Sequence, residues 1–165
     1  GAMANTFLLA KDQEISQSKA EPEKVALAQE LIKSLGSKLV LASDFVKKMN
    51  GEKFSYLDIG PESVAAFSAL LMEAKTVFWN GSLGYTEEAP YDAGSIAIAQ
   101  LLASLQTSGV QTVIAGGDTV ELITRLKLMD KIGFVSTGGG AALEYLGGLE
   151  LPGVAALEGA AAQGK

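Results

Sequence analysis

Histidine and cysteine are both missing from the 165 residues. Their absence removes imidazole acid–base catalysis, thiol nucleophiles, disulfides and the usual zinc sites. No apolar run approaches the roughly 18 residues that a membrane span needs. No signal peptide is visible over Gly1 to Ala10, so a soluble, cytoplasmic protein is the expectation. Positive charge is scarce: 13 Lys and Arg against 19 Asp and Glu leave a formal net charge of −6. Nucleic-acid backbones and anionic membranes are therefore poor partners. A phosphate ligand would have to be held mainly by backbone amides and an oxygen-ligated divalent metal such as Mg²⁺.

Glycine is plentiful, at 19 residues, and 48% of the chain is hydrophobic. Apolar runs rich in β-branched residues alternate with helical periodicity, which suits one α/β domain whose strands are buried on both faces. Gly1 to Leu8 reads as a small-residue turn, either continuing a longer chain or appended to it, and residues 11–20 read as a polar surface loop. Pro22 opens a helix that ends before Gly36, with Val25, Ala28, Leu31, Ile32 and Leu35 on one face. Residues 38–42 (KLVLA) read as a short strand, 46–55 as a polar excursion and 56–60 (YLDIG) as the next strand. Pro61 starts another helix, and 76–79 (TVFW) is a buried strand running into Asn80-Gly81. A helix follows over about 94–105, and Leu151 to Val154 reads as a short packed segment. The tail over 158–165 is expected to fray.

The stretch 112–146 carries the chemistry. It reads as strand, glycine turn and helix, twice. In a right-handed βαβ arrangement both turns leave the same carboxyl edge of a parallel sheet, so two helix amino-termini point into one crevice. Gly116-Gly117-Asp118-Thr119 is either a plain turn with an N-cap or a close approach of backbone to ligand, with Asp118 reaching Mg²⁺ on a phosphate. Ser136-Thr137-Gly138-Gly139-Gly140 points more firmly to a ligand, because three successive glycines cost backbone entropy and contribute no packing. Two helix ends at up to about 2 kcal/mol each give roughly 4 kcal/mol, which is millimolar affinity. A base pocket and a metal must supply the rest. No GxGxxG followed by an acidic residue about 20 positions later is present, which disfavours a dinucleotide-binding oxidoreductase.

WNG at 79–81, AGGDT at 115–119, VSTGGGAALEYL at 135–146 and LPGVAAL at 151–157 resemble the phosphoglycerate kinase family. LDIGP at 57–61 and GAMANTFL at 1–8 fit in register. The resemblance implies an α/β, three-layer Rossmann-like sandwich: a mainly parallel sheet covered by helices on both faces. It assigns 1–157 to an incomplete carboxy-terminal, nucleotide-binding domain and makes GAMANTFL native sequence. It implies Mg-ADP or Mg-ATP as ligand, with Asp118 on Mg²⁺, Thr119 on the nucleotide phosphates, and Gly116 and Gly117 giving backbone access. Gly138, Gly139 and Gly140 would face the transferring phosphoryl group. Asn80 and Gly81 carry over to the nucleotide site, Glu87 to the ribose, Leu57 to the adenine wall, and Gly1 to a glycine pair beside the adenine.

Four positions depart from the family pattern: Tyr56, Ser82, Thr86 and Ala115. Tyr56 and Thr86 lie on the base side, so base preference and affinity are the properties they put in question. The family's nucleotide-site lysine and its acceptor domain would lie upstream of Gly1. 3-Phosphoglycerate or 1,3-bisphosphoglycerate would therefore bind only with that domain, and the chain alone is expected to be inactive. Self-association through an uncovered sheet edge is also expected.

Overall fold

The computed structural model describes residues 1–163. Its centre is a parallel sheet of β3 (Thr76–Asn80), β4 (Gln111–Ala115) and β5 (Phe134–Ser136), in spatial order β3-β4-β5. Helix α4 (Ala93–Thr107) connects β3 to β4, and α5 (Gly117–Arg125) connects β4 to β5. Two right-handed crossovers in the same direction place both helices on one face of the sheet. That face is dry: Val77, Trp79 and Ile114 meet Ile98, Leu102, Leu122 and Ile123 in one buried cluster. On the other face Phe78, Val113 and Phe134 stand in register across the three strands, with Phe134 62% exposed. The α/β, Rossmann-like class expected from the sequence holds.

The register carries the functional consequence. Asn80 pairs with Ala115, and Ala115 with Ser136, so the last residues of all three strands form one row. Every loop that leaves this row starts at the same carboxyl edge.

Helix α2 (Val25–Leu35) and α3 (Pro61–Met72) fall where the periodicity placed them. Proline opens α3 at its first position, and Asp44 accepts hydrogen bonds from the N–H groups of Glu62 and Ser63. Burial opposes ionisation of Asp44, but the bonds from Ser63 and Glu62 outweigh it and hold the carboxyl below its usual range.

Four segments differ from the sequence expectation. Gly1 to Leu8 is not a turn: Ala2–Ala10 forms α1, which buries Phe7 and Ala10 against Ala28 of α2. Its nine residues make only about two and a half turns, too short a window for a clear period. Residues 38–42 form no strand, because no neighbour supplies a ladder; Leu39 and Leu41 instead pack on the α1–α2 cluster. Residues 46–55 are no loop excursion. β1 (Phe45–Asn50) and β2 (Lys53–Ile59) make an antiparallel hairpin, turned at Gly51-Glu52 with Gly51 at φ 62°. Glycine at the first position of a two-residue loop is a hairpin signal, but β1 is mostly exposed and its sequence is correspondingly polar. The strand at 56–60 is thus the end of β2 in a sheet of its own.

Finally, 151–154 opens a full helix, α7 (Pro152–Gln163), with proline at its start. The last part of the expected tail, residues 164–165, lies outside the described residues.

Candidate functional site

Three loops leave the Asn80–Ala115–Ser136 row and close around a cleft of about 360 Å³. Asn80, Gly81, Gly116, Gly117, Asp118, Thr119, Thr137, Gly139 and Gly140 line it. The two glycine turns and the Asn-Gly turn that the sequence singled out therefore meet in one place.

The glycines do different jobs. Gly116 has φ 93° and ψ 140°, a region that residues with a Cβ rarely enter. A Cβ on Gly116 would also stand 2.6 Å from Asn80 Oδ1, and one on Gly139 would stand 2.8 Å from Gly116 Cα. Gly116 and Gly139 are thus required by the close approach of the turns to each other. Gly117 and Gly140, by contrast, have nothing within 4 Å of a notional Cβ and leave open space in the cleft.

Backbone donors divide the same way. Gly116 N–H donates to Ser136 O at 3.2 Å, Gly138 N–H to Ser136 Oγ at 3.2 Å, and Gly139 N–H to Thr137 O at 3.1 Å. These amides hold the turns together. Neither α5 nor α6 (Gly139–Leu146) has a side-chain N-cap, so the first-turn amides of Gly117, Asp118, Thr119 and Gly140 have no intrahelical acceptor. Gly138 does not line the cleft.

Thr119 is fully buried, and its Oγ1 accepts the N–H of Gly81 at 2.9 Å. Trp79 Nε1 donates to Gly81 O at 2.6 Å. The Asn80-Gly81 turn is therefore fastened from both sides. Asp118 is exposed at the start of α5, and neither of the two ion pairs among the described residues uses it. A single exposed carboxylate beside free helix amides fits Mg²⁺ carried on phosphates, since that ion keeps several waters and takes only one or two carboxylates. Among the described residues no group of three or more carboxylates forms a self-sufficient metal site.

The remaining expected residues sit in adjoining clefts. Gly1 and Leu57 line a larger one of about 420 Å³ with Tyr56 and Asp58, sharing Asn80 and Gly81 with the first. Glu87 lines a third of about 250 Å³ with Thr86, Glu121, Leu122 and Arg125, sharing Asp118. The sequence reading gave Thr137 no role beyond its place in the glycine motif and missed Glu121 and Arg125, which helical spacing from Asp118 could have found. It also missed Asp58, buried in the floor, whose carboxyl accepts the N–H groups of Gly94 and Ile59. Burial pushes the Asp58 carboxyl above its usual range, with those two bonds pulling the other way.

A sequence profile of the family described as phosphoglycerate kinase matches residues 1–149. The chain belongs to the phosphoglycerate kinase family. It is 42% identical to a phosphoglycerate kinase of Chloroflexus aggregans and 43% identical to one of Solibacter usitatus, aligning over 97% and 96% of this chain. The alignments span only 44% and 43% of those relatives' lengths. Among solved structures, phosphoglycerate kinase from Coxiella burnetii matches with a TM-score of 0.81 at 31% identity, over 90% of this chain and 43% of that one. The enzyme from Pyrococcus horikoshii OT3, at 24% identity and a TM-score of 0.80, shares the fold.

Proposed function

We propose that this chain is the nucleotide-binding part of a phosphoglycerate kinase, the cytoplasmic enzyme of glycolysis that moves a phosphoryl group reversibly between ATP and 3-phosphoglycerate. The observation that carries the reading is the convergence of Asn80-Gly81, Gly116 to Thr119 and Thr137 to Gly140 on one cleft, in a chain of that family. Phosphoryl transfer asks for alignment and charge stabilisation rather than acid–base side chains. A sequence without histidine or cysteine meets that requirement.

Residue roles follow from position. The amides of Gly117, Asp118, Thr119 and Gly140 hold phosphate oxygens; Thr119 keeps Gly81 in place; Asp118 holds Mg²⁺, which when bound neutralises phosphate charge. Gly138 and Gly139 keep the second turn closed around the transferring group. Leu57, with Gly1 beside it, forms the adenine wall, and Glu87 takes a ribose hydroxyl. No lysine lines any of these clefts, and their one arginine is paired with Asp92. The chain alone therefore holds a nucleotide weakly and does not turn over; acceptor binding and catalysis need the remainder of the enzyme.

An NMR titration with Mg-ADP tests the site. Localised fast-exchange shifts at amides 116–119 and 138–140 are expected, with Asp118→Ala weakening the Mg²⁺ response. Shifts confined elsewhere would displace the site, and no shifts would leave a folded module without nucleotide affinity. Family-like turnover by the isolated chain in a coupled assay would overturn the claim of inactivity.

A further inference from the structure

The loop that carries Glu87 is tied to helix α5 by an ion pair with no role in the site described so far. Arg125 Nη2 donates to Asp92 Oδ2 at 2.8 Å, with the Asp92 side chain only 10% exposed. Asp92 is the residue before α4 and closes the loop that begins at Gly81; Arg125 is the last residue of α5.

Asp118, Glu121, Leu122 and Arg125 follow one another at spacings that put them on a single face of α5. That face and the loop residues Thr86 and Glu87 are the two walls of the 250 Å³ cleft. Asp118 lies at its phosphate end. Seven residues on, roughly 10 Å down the helix axis at 1.5 Å per residue, Arg125 fastens the far end. Elsewhere the loop is anchored to other elements: Ser95 Oγ accepts Leu83 and Gly84 N–H, and Tyr85 N–H donates to Leu57 O. Lys48 reaches Glu88, but both side chains are about half exposed, and such pairs contribute little. Glu87, Asp118 and Glu121 bring three carboxylates to the cleft, and Arg125 is its cation.

We propose that Arg125 is a positioning residue for the nucleotide. By holding Asp92 it fixes the distance between Glu87 and Asp118, and so sets the sugar of a nucleoside diphosphate in register with its phosphates. This rests on the nucleotide reading of the cleft. It concerns the ligand's sugar, so a ligand of phosphates alone should not feel it.

The test compares Mg-ADP with Mg-tripolyphosphate by NMR titration of the full chain and three variants: Arg125→Gln, Arg125→Lys and the double variant Asp92→Asn/Arg125→Gln. Arg125→Gln is expected to weaken Mg-ADP about fivefold while changing tripolyphosphate less than about twofold, as removal of one coupling between contacting groups predicts. Arg125→Lys should recover part of the loss. The double variant, which leaves no unpaired charge, should lose ADP as the single one does and keeps the comparison readable if Arg125→Gln is poorly folded. Equal loss of both ligands, or of neither, overturns the positioning role while leaving the nucleotide site standing. Absence of any Mg-ADP response at 116–119 in the unaltered chain overturns both.

Discussion

The two glycine turns that face each other across the cleft are anchored very differently. The first, Gly116 to Thr119, has Ala115 and Thr119 fully buried at its flanks, and α5 behind it buries Leu122 and Ile123. The second, Thr137 to Gly140, hangs on the three-residue strand β5, and α6 behind it buries no residue at all; Leu143, Tyr145 and Leu146 are half or more exposed. Regions with few buried apolar contacts open at low free energy while the core opens only near the global value. The cradle is thus one fixed wall facing one weakly held wall. The fixed wall carries Asp118, the carboxylate proposed for Mg²⁺, at the start of α5. The other wall is held by the backbone bonds of Gly116, Gly138 and Gly139 rather than by a buried apolar face.

Truncation of one leucine behind each turn breaks the comparison most sharply. Leu122→Ala removes a side chain that is 1% exposed in the main cluster and is expected to cost about 2–5 kcal/mol. Leu143→Ala, half exposed on α6, is expected to change stability by less than about 1 kcal/mol. Urea midpoints of the two variants at constant m-value measure the difference. Similar losses would mean that α6 is anchored as firmly as α5.

The sequence made the presence of both turns legible but not their inequality. Strand, glycine and helix period placed β3, α4, β4, α5 and β5; the first four each bury apolar residues in the main cluster, and β5 is marked by the glycines that follow it. Three successive glycines drew more attention than Gly116-Gly117, yet burial, which sequence spacing does not report, makes the first turn the firmer one. The β1–β2 hairpin escaped because β1 is mostly exposed and neither strand's burial alternates residue by residue, so no period of two marked it. The strand expected at 38–42 failed for the converse reason: apolar side chains were present, but no neighbouring strand was available to pair with them. Asp58 was invisible as a site residue because its partner Gly94 lies more than 30 positions away in sequence, and the same separation hid the pairing of Arg125 with Asp92.

Methyl groups added to the turns sharpen the contrast. Gly116→Ala places a Cβ in a backbone region that is strained by about 1–3 kcal/mol, and that Cβ also meets Asn80 Oδ1. Stability should fall by at least that strain, and the Asn80-Gly81 turn should shift. Gly140→Ala has ordinary backbone and open space, so it should raise stability by up to about 1 kcal/mol through the unfolded chain. Its methyl projects into the cleft, and Mg-ADP binding should weaken while the fold gains. Thermal midpoints moving the same way in both variants would contradict the assignment of Gly116 to turn packing and Gly140 to ligand space.

The smallest expected effect separates the two threonines. Thr119 Oγ1 accepts the Gly81 N–H from a fully buried position, so Thr119→Val keeps the shape and strands that donor. Gly81 is itself exposed, and water recovers part of the bond, so the loss should be about 1 kcal/mol rather than a full desolvation penalty. Thr137, exposed just ahead of the glycines of the second turn, should tolerate Val within about 0.5 kcal/mol. Hydrogen exchange at Gly81 is the direct readout: its amide should lose protection in Thr119→Val and keep it in Thr137→Val. If both variants leave Gly81 equally protected, Trp79 alone holds that turn, and the first wall owes its rigidity to the apolar packing of α5 rather than to the threonine.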